Sequence, residues 1–166
     1  LKLEKAMTHF DVTLEGKVCM DVGASTGGFT DCLLQHGALS VIAVDAGHGQ
    51  LHKKLLEDRR VVSFEGVNAR ELPLELLNTI GDGTLGKPDI AVMDVSFISQ
   101  TMIIPNTAKL LRPGGSFITL IKPQFEAGRE ALDKRGIVKK AEYRYRAVMR
   151  VLNILHISGL RMIKAK

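Results

Sequence analysis

Short, unbroken apolar runs alternating with helix-length segments constrain this chain more than any other feature. Residues 17–22 (KVCMDV), 40–45 (SVIAVD), 61–64 (VVSF), 89–94 (DIAVMD) and 116–121 (SFITLI) are each strand-length and apolar almost throughout. A strand with one wet face alternates apolar and polar residues, so a continuous apolar run predicts a strand covered on both faces. Between these runs the period becomes helical. It predicts a helix from the end of the first run to about residue 36, then helices over 50–56, 70–77, 102–111 and 142–156. The opening LKLEKAMTHF has an amphipathic helix pattern, and residues 160–164 predict a sixth strand. Residues 81–89 (GDGTLGKPD) form a turn-rich connection and 112–115 (RPGG) a sharp turn. Strands and helices in this order, joined by right-handed crossovers, predict an α/β fold: a doubly wound, mostly parallel sheet with helices on both faces. Ligands of such sheets bind at the carboxyl ends of the strands.

At 166 residues the chain fits one domain, 1–166, able to bury a core without metal or disulfide staples. Cys19 and Cys32 have no C-x-x-C spacing and read as buried free thiols. His48 and His52 lie one helical turn apart, but Gly49 stands where a zincin needs glutamate, so they read as a solvated helix face and no metal is expected. No apolar run is long enough to cross a bilayer and no signal peptide is evident, which makes a cytoplasmic location the expectation. The net charge of +5 is concentrated: residues 129–150 hold eight basic residues against Glu130, Asp133 and Glu142. Arg129, Lys134, Arg135, Lys139 and Lys140 are therefore candidate contacts to a polyanion such as RNA, although charge runs are usually solvated faces.

The sharpest local signal is the Gly-rich stretch after the first strand, Asp21-Val-Gly23-Ala24-Ser25-Thr-Gly27-Gly28-Phe29. Glycines there permit a tight turn and a close approach of ligand to main chain, and the helix that follows offers unpaired N–H groups. A dinucleotide site would read G-x-G-x-x-G; here Ser25 replaces the middle glycine and crowds the path of a pyrophosphate. Asp21 would repel phosphates yet suits a cationic amine, which favours S-adenosylmethionine. Asp45 ends the second strand, 22 positions after Gly23, where a carboxylate can accept both hydroxyls of a ribose. Asn68 follows the third strand and is a candidate for an adenine edge. The plainer readings are a cap for Asp45 and a turn residue for Asn68.

Asp94 ends the fourth strand and Lys122 the fifth, so both reach the same sheet edge. Lysine is rarely buried without a partner, and Asp94 is the natural one. A structural ion pair would explain both, but two charges meeting at a ligand-bearing edge point to chemistry. A lysine there can position or accept the proton of an alcohol that is to be methylated, with Lys2 or Lys5 supplying a second cation. Phe97 and Phe125 are candidates for stacking on a base, with core packing the alternative.

These residues carry a resemblance. LKLEK (1–5), DVGASTGGFTDCLL (21–34), AVDAGHGQL (43–51), NAR (68–70), DVSFIS (94–99) and IKPQFEAGRE (121–130) closely resemble the hemolysin-A (TlyA) family of FtsJ-like ribosomal RNA 2'-O-methyltransferases. The resemblance implies a Rossmann-like class I methyltransferase fold, S-adenosyl-L-methionine as cofactor and ribosomal RNA or a ribosomal subunit as partner. It implies cytidine 2'-O-methylation as the activity. It places Lys2, Asp94 and Lys122 in the first three positions of a Lys-Asp-Lys-Glu tetrad. It also implies an amino-terminal RNA-binding domain and a later Gly-Asn-x-Glu segment, both outside these 166 residues. Three other readings stand beside it: a base amino-group methyltransferase, which would show prolines where Val95 and Ser96 stand; a membrane-active hemolysin; and a non-catalytic RNA-binding module.

Overall fold

The computed structural model describes residues 2–73 and 86–166. The amphipathic opening forms α1 (Lys2–Phe10), and the chain then enters β1 (Val18–Val22). It continues through α2 (Gly28–Gln35), β2 (Ser40–Val44), α3 (Lys53–Leu56) and β3 (Val61–Phe64). After a 3-10 turn at Ala69–Glu71 come β4 (Ile90–Met93), a 3-10 turn at Gln100–Met102, α4 (Ile104–Leu110) and β5 (Ser116–Thr119). A short α5 (Pro123–Glu126), a 3-10 turn at Arg129–Ala131 and the long α6 (Ala141–Ile157) complete the order.

The strands form one parallel sheet in the order β3-β2-β1-β4-β5. The unbroken apolar runs explain why: β1, β2 and β4 are buried along their whole length, and successive residues feed opposite faces. Cys19, Val41 and Val92 point into a core shared with Leu3, Met7, Leu33 and Leu55 of the first three helices. Met20, Val22, Ile42 and Met93 point the other way, to Ile103 and Leu110 beside α4. Leu33 is fully buried, so Leu33→Ala would cost about 2–5 kcal/mol. The chain moves outward from β1 through β2 to β3, then returns to place β4 on the other side of β1. Strand order thus reverses at β1 and β4, and the crevice outside their carboxyl ends is where the topology opens a site.

The predicted sixth strand is not formed. Residues 160–164 pair with no strand among the described residues, and β5 is hydrogen-bonded only to β4. Composition suits a strand there, but a strand exists only through a neighbour's ladder; Ile163 is left 77% exposed. Gly159, at φ +82°, ends α6, and Leu160 N–H donates back to Leu155 O. The helix expected over 50–56 begins only at Lys53, because His52 caps it by accepting from Lys54 N–H. The helix expected over 102–111 is tightened into a 3-10 turn at its start. Half of the helix expected over 70–77 and most of the connection over 81–89 lie outside the described residues, and the described part of that helix holds only the end of the Ala69–Glu71 turn.

Candidate active site

The Gly-rich turn sits at the switch point, and its shape depends on glycine at two positions. Gly23 has φ +85°, and a Cβ there would meet Val95 Cγ1 at 3.0 Å and Asp94 O at 3.4 Å, so the turn lies against the exit of β4. Gly27, at φ +97°, precedes α2, whose amino terminus has no side-chain cap and so keeps N–H groups for a ligand. Gly23 and Ala24 N–H both donate to Val44 O, fixing the turn to β2. Gly28 is exposed, Ala24 is buried, and Phe29 packs against the first core cluster.

Asp45 reaches across from β2. Its Oδ2 accepts Ser25 N–H and its Oδ1 accepts Gly47 N–H, both at 2.7 Å. Each carboxylate oxygen keeps a further lone pair, so a ribose diol can still be bound while the turn is held. Asn68 stands on the adjoining loop, which Val67 N–H ties to Asp45 O at 3.0 Å. Its Oδ1 accepts Arg70 N–H, the role of a turn residue, and leaves the amide nitrogen for other contacts.

Asp21 lies beneath this turn, wholly buried. Oδ2 accepts from Thr30 Oγ1 at 2.7 Å, whereas Oδ1 has no hydrogen-bond partner. Burial pushes this carboxyl up to about 7, against the opposing bonds from Thr30. An orphaned, buried oxygen of this kind fits a polar group supplied by a ligand.

On the opposite wall three charges meet. Asp94 Oδ2 is 3.1 Å from Lys2 Nζ and Oδ1 is 2.7 Å from Lys122 Nζ. Of the two candidate lysines on α1, Lys2 is the one that pairs with Asp94. Burial alone would raise the Asp94 carboxyl, but hydrogen bonds from Lys122 and then Lys2 outweigh it and hold the group below the usual carboxylate range. Lys122 Nζ also donates to Ser96 Oγ at 2.7 Å, leaving one of its three ammonium donor positions for a further partner. Beside it, Phe97 is 93% exposed at φ +64°, a backbone conformation costly for an aromatic residue. Its ring lies 5.4 Å from that of Phe125, and Lys122 Nζ is 5.9 Å from the Phe125 centroid. An exposed aromatic held in strained backbone at a site suggests use rather than packing.

The basic stretch divides in two. Arg144 donates to the carbonyls of Val138 and Lys139, Arg146 pairs with Glu142, Lys139 with Asp133, and Lys140 lies over Tyr143. The Arg144 bonds tie the loop to α6, whereas the Arg146 pair lies within the helix and the Lys139 pair within the loop. Asp133 also takes the N–H groups of Arg135 and Ile137, folding a turn that presents Lys134 and Arg135. Among the described residues, the side chains of Arg129, Lys134 and Arg135 have no acidic partner.

Sequence reasoning missed three contributors, Thr30, Ser96 and Glu65, and did not foresee that Glu126 is buried. Glu65 had a readable signal, an acidic residue just past a strand as at Asp45 and Asp94. Its carboxylate accepts the N–H groups of Gly49, Gln50 and Leu51 and fixes the loop after Asp45. His48 and His52 do not share a helix face as expected: His48 lies in the loop before α3 and His52 caps it, and no group of three metal-ligating side chains occurs among the described residues. Both cysteines are buried and free. A surface depression of about 490 Å³ opens at the other end of the sheet, lined by Gly37, Leu39, Arg59 and Arg60, and holds none of the groups above. No described helix is long and apolar enough to cross a membrane.

The chain is 39% identical over 150 residues to the 16S/23S rRNA (cytidine-2'-O)-methyltransferase TlyA of Mycobacterium tuberculosis, covering 90% of this chain and 53% of that protein. A solved Streptococcus thermophilus protein that carries a hemolysin name superimposes with a TM-score of 0.86 at 44% identity, over 95% of this chain and 55% of that one. Aeropyrum pernix fibrillarin, solved with S-adenosyl-L-methionine, shares the fold alone, with a TM-score of 0.68 at 18% identity over 98% of this chain and 66% of that one. The chain spans about half the length of the curated relatives it matches. The family profile described as FtsJ-like methyltransferase matches residues 1–165, and the chain belongs to that family.

Proposed function

We propose that the protein containing this chain methylates a ribose 2'-hydroxyl of ribosomal RNA, at cytidine, using S-adenosyl-L-methionine. The observation that carries the reading is the Lys2–Asp94–Lys122 cluster standing beside the Gly-rich turn, where a Cβ at Gly23 would meet Asp94 O and Val95 Cα, each at 3.4 Å. The relatives' names support the substrate: the Mycobacterium tuberculosis protein is a cytidine-2'-O-methyltransferase of 16S and 23S rRNA.

The residues present fit the cofactor. Asp45 would hold the ribose diol and Asn68 the adenine edge. The turn from Gly23 to Gly28 would cradle the methionine part, and the unpartnered Asp21 Oδ1 lies beneath it. When bound, S-adenosyl-L-methionine supplies an electrophilic methyl group. The chain does the rest. Lys122 Nζ, having given one proton to solvent, takes the proton that the hydroxyl loses as its oxygen bonds to the methyl group, while Asp94 and Ser96 fix the direction of its two remaining N–H bonds. Lys2, on the other carboxylate oxygen, keeps Asp94 ionised and oriented. Phe97 and Phe125 offer an exposed ring surface on which the target base can stack, and Arg129, Lys134 and Arg135, with Lys139 and Lys140 behind them, reach for phosphates. Alignment of hydroxyl and methyl supplies most of the acceleration.

Calorimetric titration of the full-length protein with S-adenosyl-L-methionine tests the reading, repeated with Asp45→Ala. Micromolar binding, on the order of −8 kcal/mol, that weakens about 30-fold or more in the variant supports it. A full-length protein that binds none overturns it.

A further inference from the structure

We propose that Glu126 is a positioning residue: its buried carboxylate ties the loop bearing Ser96 and Phe97 to the turn bearing Lys122 and Phe125, and so sets where Lys122 Nζ stands. The inference rests on the functional reading above. Glutamate is seldom buried without an ionic partner, yet Glu126 is 2% exposed and forms no ion pair among the described residues. Its carboxylate is instead spent on two neutral donors from a segment 26 residues or more away. Oε2 accepts from Ser99 Oγ at 2.5 Å, and Oε1 accepts from Gln100 N–H at 2.8 Å.

The tie continues through Gln100, itself buried. Gln100 Nε2 donates to Leu120 O at 2.5 Å, and Gln100 Oε1 accepts from Thr119 Oγ1 at 2.6 Å. The loop after β4 is thereby bound to the end of β5 before Lys122 and to α5 after it. Lys122 draws both its polar partners, Asp94 and Ser96, from that same loop. If loop and turn separate, the lysine cannot keep both. A residue needed only for packing at this place would be apolar, because burying a carboxylate without a cation is costly. Arg150 of α6 donates to Glu126 O at 3.3 Å, so the basic helix is attached to the same point.

The test uses the full-length protein and ribosomal RNA, with kcat, RNA KM and cofactor Kd measured separately. Glu126→Ala should lower kcat by roughly 10- to 100-fold while both KM and Kd stay within about 2-fold, and Ser99→Ala should lower kcat less, in the same direction. Glu126→Gln should recover most of the loss, since its amide can accept Gln100 N–H and donate to Ser99 Oγ. Unchanged kcat in the Ala variants, or cofactor Kd weakening in step with kcat, overturns the inference. Amide exchange over residues 95–101 and 122–126 is read in parallel on Ser99→Ala, which keeps the charge and the backbone bond. Faster exchange in both segments supports the tie and equal rates overturn it, even should the wild-type protein methylate no ribose and the functional reading fail.

Discussion

The proposed cofactor wall and the proposed acceptor wall of this site are built from different materials. Beneath the Gly-rich turn the fixed points are main-chain groups: Ser25 and Gly47 N–H on Asp45, Gly23 and Ala24 N–H on Val44 O, and Gly49 to Leu51 N–H on Glu65. Across the crevice the fixed points are side chains from remote parts of the sequence: Lys2 on Asp94, Lys122 on Asp94 and Ser96, Glu126 on Ser99. A wall of backbone bonds has a shape set by the fold. A wall of side chains is set residue by residue, and that is where the reaction is specified.

Substitutions in the two walls should therefore separate binding from chemistry. The largest effect belongs to Lys122→Ala, which removes the proposed proton acceptor: methyl transfer should fall about 10³-fold while calorimetric cofactor affinity stays within about 2-fold. Equal losses in both would erase the distinction between the walls. Phe97→Ala comes next. Loss of one stacking surface, worth about 1–3 kcal/mol, should raise RNA KM roughly 10-fold and leave cofactor affinity alone. A paired Lys134→Ala, Arg135→Ala variant should weaken RNA binding only a few-fold, and the slope of log affinity against log salt should become shallower by about 2. An unchanged salt slope would place the RNA elsewhere.

The smallest effect sharpens the cofactor wall through stability. Asp21 is raised in the folded protein, so the native state keeps its proton between about pH 4 and 7 where the unfolded chain has lost it. Its contribution to stability is full below pH 4, declines as pH rises towards 7 and is gone above. Asp21→Asn should flatten this slope and raise the thermal midpoint at pH 8 by about 5 °C, with little change at pH 4. A variant destabilised equally at both values would show that Asp21 is held by bonds and not opposed by burial.

The same contrast explains what could be read from the sequence. The parallel sheet was legible because β1, β2 and β4 must be apolar on both faces, and the Gly-rich turn because its conformation admits few residues at Gly23 and Gly27. Asp45, Asp94 and Lys122 were legible because strand ends fall on one edge. Glu126 was not: nothing local marks a glutamate that will be buried by partners 26 and 27 positions away. Nor does the charge run reveal that Arg144 and Arg146 are internally engaged while Lys134 and Arg135 are not. The sixth strand misled because residues 160–164 have strand composition without a ladder to join.

The most direct test of the account is the chemical position of the transferred methyl group. Full-length protein is incubated with ribosomal RNA and S-adenosyl-L-methionine bearing a labelled methyl group, and the product RNA is hydrolysed in alkali. A methylated 2'-oxygen cannot attack the neighbouring phosphate, so the account predicts label in an alkali-resistant dinucleotide, lost with Lys122→Ala. Label released in a mononucleotide, carried on the base, would contradict it.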